Sequence, residues 1–81
     1  MPRISGKIDV DGVLPRIGAA IRAGRLKKQL SQEALADAAA LDRSHMGKIE
    51  RGERNVTVLN LARIAAALDL QLSELLRGAQ L

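Results

Sequence analysis

The chain has 81 residues, room for one domain, and a domain of that size buries only about 60% of the surface it would expose unfolded. Alanine and leucine dominate its apolar residues, Phe, Trp and Tyr are absent, and there is no cysteine, so disulfides and thiolate-held metals are excluded and helices are favoured over strands. The net charge of +4 sits wholly within residues 16–54, where nine Lys/Arg stand against five acids; a nucleic-acid surface is one reading of that stretch, ordinary solvated charge the other.

No apolar run approaches the roughly 18 residues of a membrane span, and MPRISGKIDVDGV lacks the apolar stretch of a signal peptide. The expectation is a soluble cytoplasmic domain. Residues 1–12, with two glycines and mixed charges, read as a flexible arm. Arg3 and Lys7 are placed to reach a minor groove if the arm touches nucleic acid. Pro15 suits the first turn of a helix over about 14–28, with Leu14, Ile17 and Ile21 as its apolar stripe.

Further along, one start signal appears four times. An apolar residue precedes a cap position and a second follows five positions after the first: Leu30/Leu35, Leu41/Met46, Val56/Leu61 and Leu70/Leu75. This is the hydrophobic staple around an N-cap. The caps it selects are Ser31, Asp42, Thr57 and Gln71. The first three can accept a hydrogen bond from the free N–H groups of the first turn. Gln71 is a poor cap, partly offset by Glu74 through the helix dipole. The predicted helices cover about 32–39, 43–51, 58–68 and 72–77. Leu35, Ala36, Met46, Ile49, Leu61, Ile64, Ala65, Leu68 and Leu75 then join Ile17 and Ile21 in one core. The fold class is all-α, a compact five-helix domain over residues 13–81.

On a helical wheel, residues 43–51 place Met46, Ile49 and Glu50 inward and Arg43, Ser44, Gly47, Lys48 and Arg51 outward. A helix fits the major groove, where Arg or Lys can bond guanine O6 and N7 and Ser can bond several base edges. Gly47 inside a helix costs roughly 1 kcal/mol against alanine; close backbone approach to DNA and a neutral surface glycine are its two readings.

From about Ile17 to Leu76 the chain resembles the lambda-repressor-like, or xenobiotic-response-element, family of helix-turn-helix regulators. The resemblance is carried by Arg22-x-x-Arg25, SQEALA at 31–36, LDRS at 41–44, IERG at 49–52 and NLARIAAAL at 60–68. It implies double-stranded DNA as partner and no cofactor or metal. Arg43, Ser44 and Lys48 match base-reading positions. Arg22, Gln32, Arg51, Arg54, Asn55 and Thr57 match backbone contacts, and Gln32 also braces the recognition helix. Arg25 and Glu50 match a pair tying helix one to helix three.

Ala40 and Gln29 stand where the family usually has glycine, Ala40 in a turn that calls for φ > 0. Leu59 and Ala66 are apolar where polar residues are common and are candidates for a subunit contact. With no second domain to bind an effector or hold a dimer, a homodimer would use Leu70, Leu72 and Leu76, placing two recognition helices about 34 Å apart on a pseudo-palindromic site. The stretch LDRSHMGKIERGERNVT is similar to the controller proteins of restriction–modification systems, which regulate their own operon. There His45 matches a place near the dimer axis of the site; a half-exposed helix residue is its plainer reading.

An enzyme is disfavoured. Ser44 and His45 are neighbours about 100° apart on one helix, a poor arrangement for a nucleophile and its base. The alternative function is an antitoxin-type module whose main partner is a toxin protein, for which only residues 1–12 and 77–81 are available as a wrapping segment.

Overall fold

The computed structural model describes residues 9–81; Arg3 and Lys7 lie outside that range. Five helices follow in chain order: α1 (Val13–Lys27), α2 (Gln32–Ala38), α3 (Arg43–Glu50), α4 (Val58–Ala67) and α5 (Leu72–Gly78). Among the described residues there is no strand. The first four helices each end one residue before the expected boundary. Lys28, Ala39, Arg51 and Leu68 are the C-caps: their N–H groups still bond the carbonyl four residues back, but ψ has risen to 0°, 0°, −2° and 5°.

The caps explain the starts. Ser31 accepts from the Ala34 N–H at 3.0 Å, Asp42 from His45 at 3.2 Å and Thr57 from Asn60 at 3.1 Å. At α5 the arrangement is reversed: the Glu74 carboxylate reaches back to the Gln71 N–H at 2.9 Å, so the acid compensates by a hydrogen bond as well as by its charge. At α1 the cap is Asp9. Its two carboxylate oxygens accept from Val13 and Leu14 at 2.8 and 2.6 Å.

All five helices end in the same way. The residue after the C-cap is left-handed: Gln29, Ala40, Gly52, Asp69 and Gln80, with φ of 60°, 58°, 74°, 59° and 63°. The next N–H then bonds a carbonyl five residues back, as Leu30 to Arg25, Leu41 to Ala36 and Leu70 to Ala65 do at 3.0, 2.8 and 2.8 Å. This is the Schellman closure, which satisfies the loose carbonyls of the last turn. Leu30, Leu41 and Leu70 each close one helix and, one residue before the next cap, staple the following one. A single leucine thus fixes both sides of a short connection.

The packing order closes a ring. α1 packs on α3, α3 on α2, α2 on α4, α4 on α5 and α5 on α1. Ile21, Leu35, Met46, Ile49, Ile64 and Leu75 fill its centre with almost no exposure, each contributing about 1.5–3 kcal/mol of burial. The expected core residues from Ile17 to Leu75 lie in this cluster, joined by Ala39 and Ala79, while Leu14 of the α1 stripe is buried outside it. Gly18 lets α1 and α3 touch: a Cβ there would stand 2.6 Å from the Ile49 carbonyl and closer still to that of Glu50. Arg16 ties the ring shut, donating to the carbonyls of Ala79, at 3.1 Å, and Gln80.

Candidate nucleic-acid interface

The start of α3 is set by Asp42 and its depth by Met46 and Ile49, which are 0% and 1% exposed. Those two anchors leave Arg43 and Ser44 exposed in the first turn, and Lys48 and His45 half-buried on the flanks. Arg22 on α1 is exposed, as are Arg51, Arg54, Asn55 and Thr57 around the end of α3 and the start of α4. The Thr57 hydroxyl is already engaged as the α4 cap, which leaves it able to donate but not free to move.

Gly47 is the correction to the wheel. It is buried, not on an open face, because α2 begins across it. A Cβ on Gly47 would stand 3.2 Å from Arg51 Nη1 and 3.5 Å from Gln32 Oε1. A wheel describes one helix alone and carries no information about the neighbour lying over it. The reading as a neutral surface glycine does not survive. A shallow cleft remains beside it, lined by Gln32, Arg43, Ser44, Gly47 and Arg51.

Beneath the cleft lies a charged network. The Arg25 guanidinium donates from Nε to Glu50 Oε2 at 2.7 Å and from Nη2 to Oε1 at 3.1 Å. Its third nitrogen, Nη1, donates to the Leu30 carbonyl at 3.0 Å. Glu50 is 8% exposed, and such a carboxylate is tolerable only because it is paired and hydrogen-bonded. Gln32 completes the shell, donating from Nε2 to Glu50 Oε1 at 3.1 Å. That bond uses one of the two N–H groups on the amide nitrogen and leaves the other without a partner among the described residues.

Arg51 is held from the other side by Glu53. Nε and Nη2 lie 2.9 and 3.4 Å from its carboxylate oxygens. The hydrogen bond from Arg51 keeps the Glu53 carboxyl below the ordinary carboxylate range; desolvation opposes it, and the charges of Arg51 and Lys48 add lesser support. The same bond raises the Arg51 value further. Glu53 was not among the residues singled out from sequence; a loop acid two residues past a helical arginine belongs to no periodic pattern.

The leucines offered for a subunit contact sit differently from one another. Leu70, Leu72 and Leu76 are half-buried and already pack against the core. Val58 and Leu59 at the start of α4 are far more open, at 70% and 62% exposed, and Ala66 is exposed further along the same helix. Among the described residues no helix is long and apolar enough to cross a membrane.

Comparison with known proteins places this geometry. The helix-turn-helix family profile matches residues 21–75. The chain is 49% identical over 49 residues to control protein C.MunI from a Mycoplasma species, covering 60% of this chain and 66% of that protein, just short of two thirds of its length. It is 43% identical over 60 residues to control protein C.BamHI from Bacillus amyloliquefaciens, covering 73% of this chain and 74% of that one. The crystal structure of the restriction–modification controller protein C.AhdI from Aeromonas hydrophila superposes with a TM-score of 0.74 at 45% identity, covering 82% of this chain and 97% of that one.

Proposed function

Because the chain belongs to the helix-turn-helix family and, within it, to the control proteins, we propose that it is a sequence-specific DNA-binding regulator of a restriction–modification operon, acting in the cytoplasm by occupying DNA rather than by catalysis. The observation that carries this reading is the exposed Arg43 and Ser44 at the start of α3. They stand on a helix held by two buried apolar anchors and by the Arg25–Glu50 pair, inside the one net-positive stretch of the chain.

In this reading α3 enters the major groove, and Arg43, Ser44 and Lys48 meet base edges. Arg22, Arg54, Asn55 and Thr57 flank that helix and face the phosphates, fixing register and orientation without carrying sequence information. Two copies joined through the α5 side, with Leu70, Leu72 and Leu76 at the contact, would set two α3 helices about 34 Å apart on a pseudo-palindromic operator. The half-buried state of these leucines supports a shallow contact surface continuous with the core.

Selection from a random duplex pool followed by footprinting tests the proposal. The expected result is a two-fold symmetric site, bound with an affinity that falls steeply as salt rises. Failure to select any duplex, or an affinity indifferent to salt, would remove it. Sedimentation of the free protein tests the dimer: a single monomeric species throughout the micromolar range would count against it.

A further inference from the structure

We infer that Glu53 is a positioning residue for DNA binding: it grips one edge of the Arg51 guanidinium and turns the free Nη1 toward the cleft beside Gly47, where it meets a DNA phosphate. An acid thus strengthens the hold on a polyanion. This rests on the DNA-binding reading above.

The slot that Glu53 fills is the first observation. Each connection between helices closes with a left-handed residue, and the next N–H bonds a carbonyl five residues back. In three of them that next residue is a leucine packed against the core: Leu30, Leu41 and Leu70. Between α3 and α4 it is Glu53, whose N–H bonds the Lys48 carbonyl at 2.9 Å and whose side chain is 54% exposed. Val56, three residues on, makes the apolar contact instead. The turn itself is wedged against α1: Gly52 has φ of 74°, and a Cβ there would stand 2.7 Å from Pro15 Cα. Glu53 therefore stands on a fixed backbone, in a place the fold otherwise gives to leucine.

What the carboxylate does there is hold Arg51. Its oxygens take Nε at 2.9 Å and Nη2 at 3.4 Å, so one edge of the planar guanidinium is occupied and its direction is set. Helical side chains lean toward the N-terminus, and Arg51 leans over Gly47, where a Cβ would stand 3.2 Å from Nη1. Nη1 has no hydrogen-bond partner among the described residues. The cleft it borders is lined by Gln32, Arg43, Ser44, Gly47 and Arg51, with no acid among them. A free guanidinium nitrogen beside such a cleft suits an anionic oxygen. The Glu53 charge is itself offset, with Arg51 bonded to it and Lys48 near enough to stabilise it. Without Glu53 the long Arg51 side chain would have to be ordered on binding, at a loss of rotamer freedom.

A double-mutant cycle on DNA affinity tests this, using a duplex that the wild-type protein selects from a random pool. Charge repulsion alone predicts that removing an acid from this surface tightens binding. The proposal predicts the reverse: Glu53→Ala should weaken binding about threefold, the scale of an exposed ion pair. In an Arg51→Met background the same change should tighten binding, since only the repulsion is then left. Glu53→Gln keeps an acceptor for the guanidinium and should recover most of the loss. Arg51→Met should lower the salt slope by about one and leave the selected sequence unchanged. Both residues are exposed, so these variants leave the core untouched. Tighter or unchanged binding by Glu53→Ala in the wild-type background would overturn the proposal, as would an equal loss with and without Arg51. A changed base preference in Arg51→Met would put Nη1 on a base edge and overturn it too. If the wild-type protein selects no duplex, the DNA-binding reading fails instead, and the Glu53 role falls with it.

Discussion

Arg25 and Glu50 meet edge to edge through two nearly parallel N–H···O bonds of 2.7 and 3.1 Å, with side chains only 11% and 2% exposed. The pair joins α1 to α3, the helix proposed to enter the major groove. Attraction in such a site roughly repays desolvation, so the pair adds little net stability, but deleting one partner strands the other. Arg25→Met or Glu50→Met alone should cost roughly 3–5 kcal/mol in urea unfolding. The Arg25→Met/Glu50→Met double variant should lose much less than the two together. Additive losses would show that the two charges do not act as a unit.

Ala40 holds φ of 58° at the end of α2, a conformation that disfavours any residue with a Cβ. Ala40→Gly should therefore stabilise the protein by about 1 kcal/mol after the added freedom of the unfolded chain is counted. In a domain this small that is a rise of about 4–8 °C in Tm. Ala19→Gly, in the exposed interior of α1, is the control and should fall by a similar amount. Thermal melts of the two variants should move in opposite directions. A fall in both would place the Ala40 turn outside the left-handed region.

Much of this architecture was legible in the residues because one device recurs. The staple pairs marked the starts of α2 to α5, and the stripes they began contain the residues that fill the core. Departures came where a residue answers to a different helix. Gly18 belongs to no stripe or staple and was not singled out from the sequence, yet its missing Cβ is what admits the α3 carbonyls. Gly47 reads as surface on its own wheel and is covered by Gln32 and Arg51. Asp9 was not recognised as a cap because Gly12, left-handed, separates it from the helix it serves. The left-handed turns at Gln29, Asp69 and Gln80 carry no glycine to announce them, although Leu30 and Leu70 just after two of them were already visible as staples.

The Arg51–Glu53 contact gives a pH-dependent orientation of the guanidinium. Glu53 titrates below the ordinary carboxylate range in the folded protein because the Arg51 hydrogen bond favours its charged form. A carboxyl depressed on folding contributes fully above its unfolded value and loses that contribution as pH falls through the folded one. At neutral pH the pair is intact, and Arg51 is released only in acid. A carboxyl-carbon NMR titration should show a Glu53 midpoint below that of an unfolded peptide. Arg51→Met should return it to the ordinary range. An ordinary midpoint in the wild-type protein would mean that the two side chains are not paired in solution.

Arg43 is the first residue of α3 and is exposed, with Asp42 fixing the turn beneath it. From the mouth of a major groove its guanidinium can bond guanine O6 and N7 together, the commonest specific contact to DNA. Arg54 is exposed beyond the helix end, and in the proposed reading it meets phosphate, a contact that carries no sequence information. The two substitutions should therefore fail in different ways. Arg43→Ala should cost about 1–3 kcal/mol on the preferred duplex and relax the preference at one position of each half-site. Arg54→Ala should weaken all duplexes alike and lower the salt slope by about one. Parallel selections and salt titrations separate these outcomes. A selected site unchanged in Arg43→Ala would move base reading away from the start of α3 and onto Ser44 and Lys48.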